Sequence, residues 1–124
     1  FTPIEASGFA VGSLSDAIAT SEGPAEAEFS TSVPQIVWWA RLGSRFRQYA
    51  GRFEVRWIEP SGEISQEKPA KRHGADRIGS VLHFDDERVA VAGRWMLELV
   101  LNDDVIDRQT VVIRPQPNRA PRPL

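Results

Sequence analysis

The stretch that decides the fold is Arg94 to Ile113, RWMLELVLNDDVIDRQTVVI. Trp95, Leu97, Leu99 and Leu101 recur at every second position, the period of a strand with one buried face. Asn102-Asp103-Asp104 interrupts the pattern with residues that tolerate left-handed backbone and bond to nearby main chain. The run after it, 105–113, is rich in β-branched residues. Met, Leu and Glu would also suit a helix. However, Gly93 precedes the segment, the run is short, and a turn follows. The spacing therefore predicts a β-hairpin, 94–101 with 105–113.

Working back toward the N-terminus, the same period recurs. Residues 52–59 place Phe53, Val55 and Trp57 on one face and Arg52, Glu54, Arg56 and Ile58 on the other. Pro60-Ser61-Gly62 is a turn in which proline presets φ and glycine permits a positive one. A polar partner, 63–68, follows and reads as an edge strand guarded by charge. Residues 69–77, PAKRHGADR, read as a basic loop and 78–84, IGSVLHF, as another strand. Upstream, 35–42, QIVWWARL, is apolar on both faces, as a central strand would be, and Pro34 marks its start. Residues 27–33 and 8–14 alternate more weakly, with 15–25 as the connection between them.

A chain of 124 residues with 41% apolar and 26% charged residues supports one globular domain. No apolar run is long enough to span a membrane as a helix. There is no cysteine, which excludes disulfide frameworks, thiolate metal sites and thiol nucleophiles. The expected fold class is all-β: a single antiparallel sandwich of about seven to nine short strands over 8–113. Residues 1–7 are expected to be a flexible lead-in. Residues 114–124, with Pro115, Pro117, Pro121 and Pro123, are expected to be a flexible Pro/Arg-rich tail. The expected core is Phe9, Val11, Phe29, Ile36, Trp38, Phe53, Val55, Trp57, Leu82, Trp95, Leu97, Leu99, Val111 and Ile113.

With Trp38 or Trp57 as a core tryptophan and a closing hairpin from Gly93 to Ile113, the arrangement resembles the immunoglobulin-like superfold. It departs from true immunoglobulin domains in having no cysteine pair. The resemblance is one of architecture and implies no ligand.

Candidate chemistry is sparse. His73 and His83 are the two histidines, and no nucleophile elbow, zinc-protease helix or phosphate-cradling glycine pattern occurs. A small hydrolase around His73, Ser80 and His83 is the rival from the enzyme class. Asp85, Asp86 and Glu87, like Asp103, Asp104 and Asp107, lack the spacing of a calcium loop and read as solvated turn acids. No cofactor and no metal are expected.

Charge is unevenly distributed. Residues 1–40 carry five acids and no Lys or Arg, whereas 41–58 carry Arg41, Arg45, Arg47, Arg52 and Arg56 against Glu54. A second basic cluster follows at Lys68, Lys71, Arg72 and Arg77. Net charge is −2, which argues against nucleic acid as a partner. On a strand, Trp38 and Trp39 face opposite sides of the sheet. Turned outward beside arginines, Trp39 would anchor a contact, because Trp and Arg dominate binding hot spots. Trp39, Arg41, Arg45 and Arg47 are therefore the expected partner-binding residues of a non-catalytic module that acts by protein–protein contact. A Trp platform for carbohydrate is the alternative, and self-association through a sheet edge is a further possibility to test. The chain begins at Phe1 rather than Met, as a processed or excised piece does. With the expected fold, that leans toward the bacterial cell envelope or the outside of the cell.

Overall fold

The computed structural model describes residues 3–14, 17, 28–85 and 90–115. Among the described residues nine strands run in chain order: β1 Ile4–Ala10, β2 Glu28–Ser30, β3 Gln35–Leu42, β4 Phe53–Ile58, β5 Ile64–Pro69, β6 Lys71–His73, β7 Arg77–His83, β8 Gly93–Leu101 and β9 Asp104–Arg114. A single turn of 3₁₀ helix, Arg47–Tyr49, lies in the connection between β3 and β4.

The strands form two sheets. One has the order β1-β3-β7-β6 and the other β2-β9-β8-β4-β5. Every pairing is antiparallel except β2 with β9, which is parallel. The hairpin β8–β9 turns at Asn102 and Asp103, with φ of 52° and 69°, and closes on the pair Leu101–Asp104. Two successive positive φ values match the right-handed twist of the flanking strands, which is why Asn and Asp stand there. Only Ala70 separates β5 from β6, so one extended segment leaves the five-stranded sheet and joins the four-stranded one.

The core lies between the sheets. Trp38, Trp57, Trp95 and Phe53 are fully buried there, with Ile36, Leu42, Ile78, Leu82, Leu97, Leu99 and Ile113. The buried indole N–H groups have acceptors, as a low-dielectric interior demands. Trp57 Nε1 donates to Ser80 Oγ at 2.9 Å, Trp38 Nε1 to Gln109 Oε1 at 3.1 Å, and Trp95 Nε1 to the Val91 carbonyl at 2.7 Å. Phe9 meets Trp57 edge-on, with ring centroids 6.0 Å apart.

Several boundaries differ from the sequence reading. The first strand starts at Ile4, not after residue 7: Ile4 pairs with Leu42, and the Gly43 N–H reaches the Pro3 carbonyl at 2.9 Å. The lead-in is thus stitched to β3 from Pro3 onward. Val11 is 52% exposed rather than core, because the strand ends at Ala10 and Gly12 follows at φ 118°. Phe29 is half-buried in a strand of three residues. The basic loop 69–77 contains β6, and β9 runs through Arg114. The proline-bearing tail beyond Pro115 lies outside the described residues.

Candidate partner-binding surface

Trp39 is 3% exposed, so it is not the outward anchor the sequence suggested. It does point away from the main core, as strand alternation requires. A second apolar layer covers it there. Val37, Trp39 and Ala17 form a small buried cluster, with Ala6, Ala10, Leu14 and Val81 packed against it. The cover is a turn in which the Ala17 N–H bonds the Ser13 carbonyl at 3.1 Å. Gly8 and Gly79 flank Trp39 on the neighbouring strands, and a Cβ on Gly8 would lie 3.0 Å from Trp39 Nε1. The sequence signal was present in those two glycines and in the small residues 6, 10 and 17. It was unreadable without the register. All four tryptophans are buried, so none offers the flat exposed platform that sugar stacking needs.

Arg41 is half-buried, and its Nε lies 3.2 Å from Glu5 Oε2. One arginine of the expected site is thus engaged with the acidic N-terminal block. Arg45 and Arg47 are exposed in the β3–β4 connection, and Arg47 Nε donates to the Leu42 carbonyl at 3.4 Å.

The fold brings the second basic cluster to the same end of the sandwich. The Leu42 N–H donates to the Asp76 carbonyl at 2.6 Å, and the Ala70 N–H to the Phe53 carbonyl at 2.9 Å. Arg41 pairs in register with Arg77, and His73 with Arg77. The β6–β7 hairpin therefore sits beside the start of the β3–β4 connection. Arg72 is exposed there, with its Nε on the Gly74 carbonyl at 3.0 Å. Arg45, Arg47 and Arg52 from one connection and Arg72 and Arg77 from the other lie at one end, which also holds Asp76 and, next to Phe53 across the ladder, the exposed Asp103 and Asp104 of the β8–β9 turn. The two clusters are distant in sequence, and their convergence was not legible from spacing.

Electrostatic order of a different kind crosses the outer face of the five-stranded sheet. Glu67 on β5, Arg56 on β4, Glu98 on β8 and Arg108 on β9 stand in one register row. Arg56 Nε lies 2.6 Å from Glu67 Oε2 and Nη1 lies 2.9 Å from Glu98 Oε1, while Arg108 Nε lies 2.8 Å from Glu98 Oε2. Glu98 is 6% exposed. Its pKa is held below the ordinary 4.5 by the hydrogen bond from Arg108, with burial opposing and Arg56 assisting. At the sheet margin, Arg114 clamps Glu28 with two bonds of 2.8 Å. That bonding, then the charge of Arg114, lowers the Glu28 pKa.

The pieces of the hydrolase reading face apart. Ser80 and His83 both border a cleft of about 140 Å³ with Gln66, Lys68 and Lys71. Yet Ser80 pairs with inward Trp38 and accepts the Trp57 indole bond, whereas His83 pairs with Gln35. Three positions apart on a strand, the hydroxyl and the imidazole project to opposite sides. His73 lies on another strand, opposite Arg77. Among the described residues no three His, Asp or Glu side chains converge as a metal site. Asp86 and Glu87 lie outside the described residues. Among the described residues no helix is long and apolar enough to cross a membrane.

No family model matches the chain, and no curated protein matches it in sequence. Solved structures do match in shape. An immunoglobulin-like protein from Pseudomonas aeruginosa superposes with a TM-score of 0.58 at 15% identity, covering 90% of this chain and 94% of that one. The Lin-41 filamin domain superposes with a TM-score of 0.54 at 13% identity, covering 92% and 98%. At such identities the likeness is one of fold. This chain is an all-β sandwich of the immunoglobulin-like class, with no specific family assigned.

Proposed function

We propose that this chain is a non-catalytic binding module acting by protein–protein contact, and that it presents Arg45 and Arg47, together with Arg72 and Arg77, to an acidic partner segment. The observation that carries this reading is the convergence of two arginine clusters at one end of a rigid sandwich. Loops held by a packed scaffold are where binding residues concentrate. Arginine suits the task because its planar fork meets carboxylates bidentately. Trp39 and Arg41 serve the site indirectly. The first anchors β3 beneath its cover, and the second ties β3 to β1 through Glu5.

The test is a titration with a short poly-glutamate peptide, followed by amide chemical shifts. Shifts should cluster at residues 43–52 and 71–77. Arg45→Glu with Arg47→Glu should weaken binding by about tenfold or more, the size expected for reversing rim charges that face opposite charge. A folded double variant that binds the peptide unchanged, or shifts confined to another face, overturns the site. Single-stranded DNA at low and moderate salt is the control, since a net charge of −2 predicts weak and strongly salt-dependent binding at most.

A further inference from the structure

We propose that the outer face of the five-stranded sheet is a contact surface for a second copy of this chain, related by a two-fold axis that runs along the strands between β4 and β8. The argument is the order of charges in the row Glu67, Arg56, Glu98, Arg108. Read across the sheet it is − + − +, and read backwards it is + − + −. A two-fold axis parallel to the strands turns a second sheet face down and reverses the row. Glu67 then faces Arg108 of the other copy, and Arg56 faces Glu98. Every acid meets a base, so the row complements itself, as an isologous interface requires.

The next register row agrees. Ile64, Ile58, Met96 and Thr110 stand side by side. The same axis lays Ile58 over Met96, and Ile64 over the Thr110 methyl. Ile64 is 54% exposed, although it lies on a sheet face, where a solvated position usually carries a polar residue. A two-fold axis along the row instead would place like charge on like and is excluded by repulsion. The occupant is therefore fixed by charge order, as is its orientation.

The face is modest. Four strands spaced about 4.8 Å apart and six residues long give roughly 19 by 20 Å. Stable dimers bury about 800 Å² per partner. This one is consequently weak, with a dissociation constant on the order of 100 µM.

Charge reversal distinguishes contact between copies from effects within one. Glu67 and Arg108 are three strand spacings apart, about 14 Å, beyond the screening length of about 10 Å at 0.1 M salt. Within one chain they do not touch and are linked only through Arg56 and Glu98. In the dimer they touch. Glu67→Arg alone and Arg108→Glu alone should each raise the dissociation constant at least about fivefold, by setting like charges face to face. The double variant E67R/R108E restores opposite charges between copies and should return to within about twofold of wild type. It does so while carrying both internal clashes, a guanidinium at position 67 against Arg56 and a carboxylate at position 108 against Glu98. Its monomer is therefore the least stable of the four.

Sedimentation equilibrium over a concentration series reads the association, and thermal melting reads the fold. A double variant that associates no better than either single overturns the proposal, as does a wild type that stays monomeric to about 1 mM, well above the expected constant. Should the reversals unfold the chain, concentration-dependent amide shifts in the wild type decide. Shifts at Arg56, Ile58, Met96 and Glu98 support the face. Shifts elsewhere, or none, reject it.

Discussion

A Cβ placed on Gly8 would lie 3.0 Å from Nε1 of Trp39 and 3.1 Å from two carbons of its ring. Gly8 sits directly across the β1–β3 ladder from Trp39, so the indole occupies the volume that any other residue at position 8 would need. Leu14 and Ala17 pack in the same cluster as Trp39, so the ring can give way only against that cover.

Gly8→Ala should therefore destabilise the fold by about 1–3 kcal/mol, the usual cost of overpacking a filled site. Gly8→Val should cost more. Calorimetric or denaturant melting checks this. A neutral Gly8→Ala would mean that the cover over Trp39 is loose. The companion change, Trp39→Ala, should cost about 3–5 kcal/mol, as a large buried aromatic does; an exposed tryptophan would cost far less.

Gln109 is the polar hinge of the opposite flank. Its Oε1 accepts from Trp38 Nε1 and from Ser7 Oγ, both at 3.1 Å, and its Nε2 donates to Asp107 Oδ2 at 3.1 Å. It thereby links β9 of one sheet to β3 and β1 of the other. Gln109→Leu keeps the approximate volume but leaves the buried indole N–H without an acceptor. The expected loss is about 1–3 kcal/mol. Adding Trp38→Phe to that variant removes the orphaned donor and should recover part of the loss. Additive losses in the double variant would show that the bond contributes nothing beyond packing.

Gly93 begins β8 at φ 137°, and a Cβ there would lie 2.7 Å from Pro60 Cγ. Both the backbone conformation and the space exclude a side chain. Gly93→Ala should cost about 2 kcal/mol or more, combining strain at a special φ with a clash against a rigid ring. Gly93→Ala combined with Pro60→Ala should recover the steric share only, and melting of the pair separates the two causes.

How much of this was legible in the sequence depended on whether the deciding contact was local. The β8–β9 hairpin was legible because its period and its Asn102-Asp103 turn lie within one stretch. Trp57 in the core was legible because Phe53, Val55 and Trp57 share a face. Trp39 was misread because its cover comes from Ala6, Ala10, Leu14 and Ala17, distant in the chain and joined through the register Gly8–Trp39. β6 was hidden because Lys71, Arg72 and His73 carry no strand periodicity, and the segment is a strand only by pairing with β7. The convergence of the two arginine clusters and the row from Glu67 to Arg108 required the strand order itself.

Glu98 supplies a pH-dependent share of stability whose sign follows from its partners. Bonds from Arg108 and Arg56 favour the carboxylate and lower its pKa in the folded chain relative to the ordinary 4.5. The unfolded chain then binds more protons than the folded one in the window between the two values, so stability rises with pH there. The contribution is complete above the unfolded value and is lost as pH falls through the folded one. Glu28 adds to the same trend, since Arg114 lowers its pKa likewise. Melting temperature should thus fall between about pH 5 and pH 3. Glu98→Gln should flatten the slope there and should destabilise the chain at pH 7, where it leaves Arg56 and Arg108 each short of a charged partner. If the variant and wild type show parallel pH profiles, the row does not act through the Glu98 charge. If the variant is as stable as wild type at neutral pH but the slopes differ, desolvation of Glu98 offsets its two bonds, as burial of a charge can.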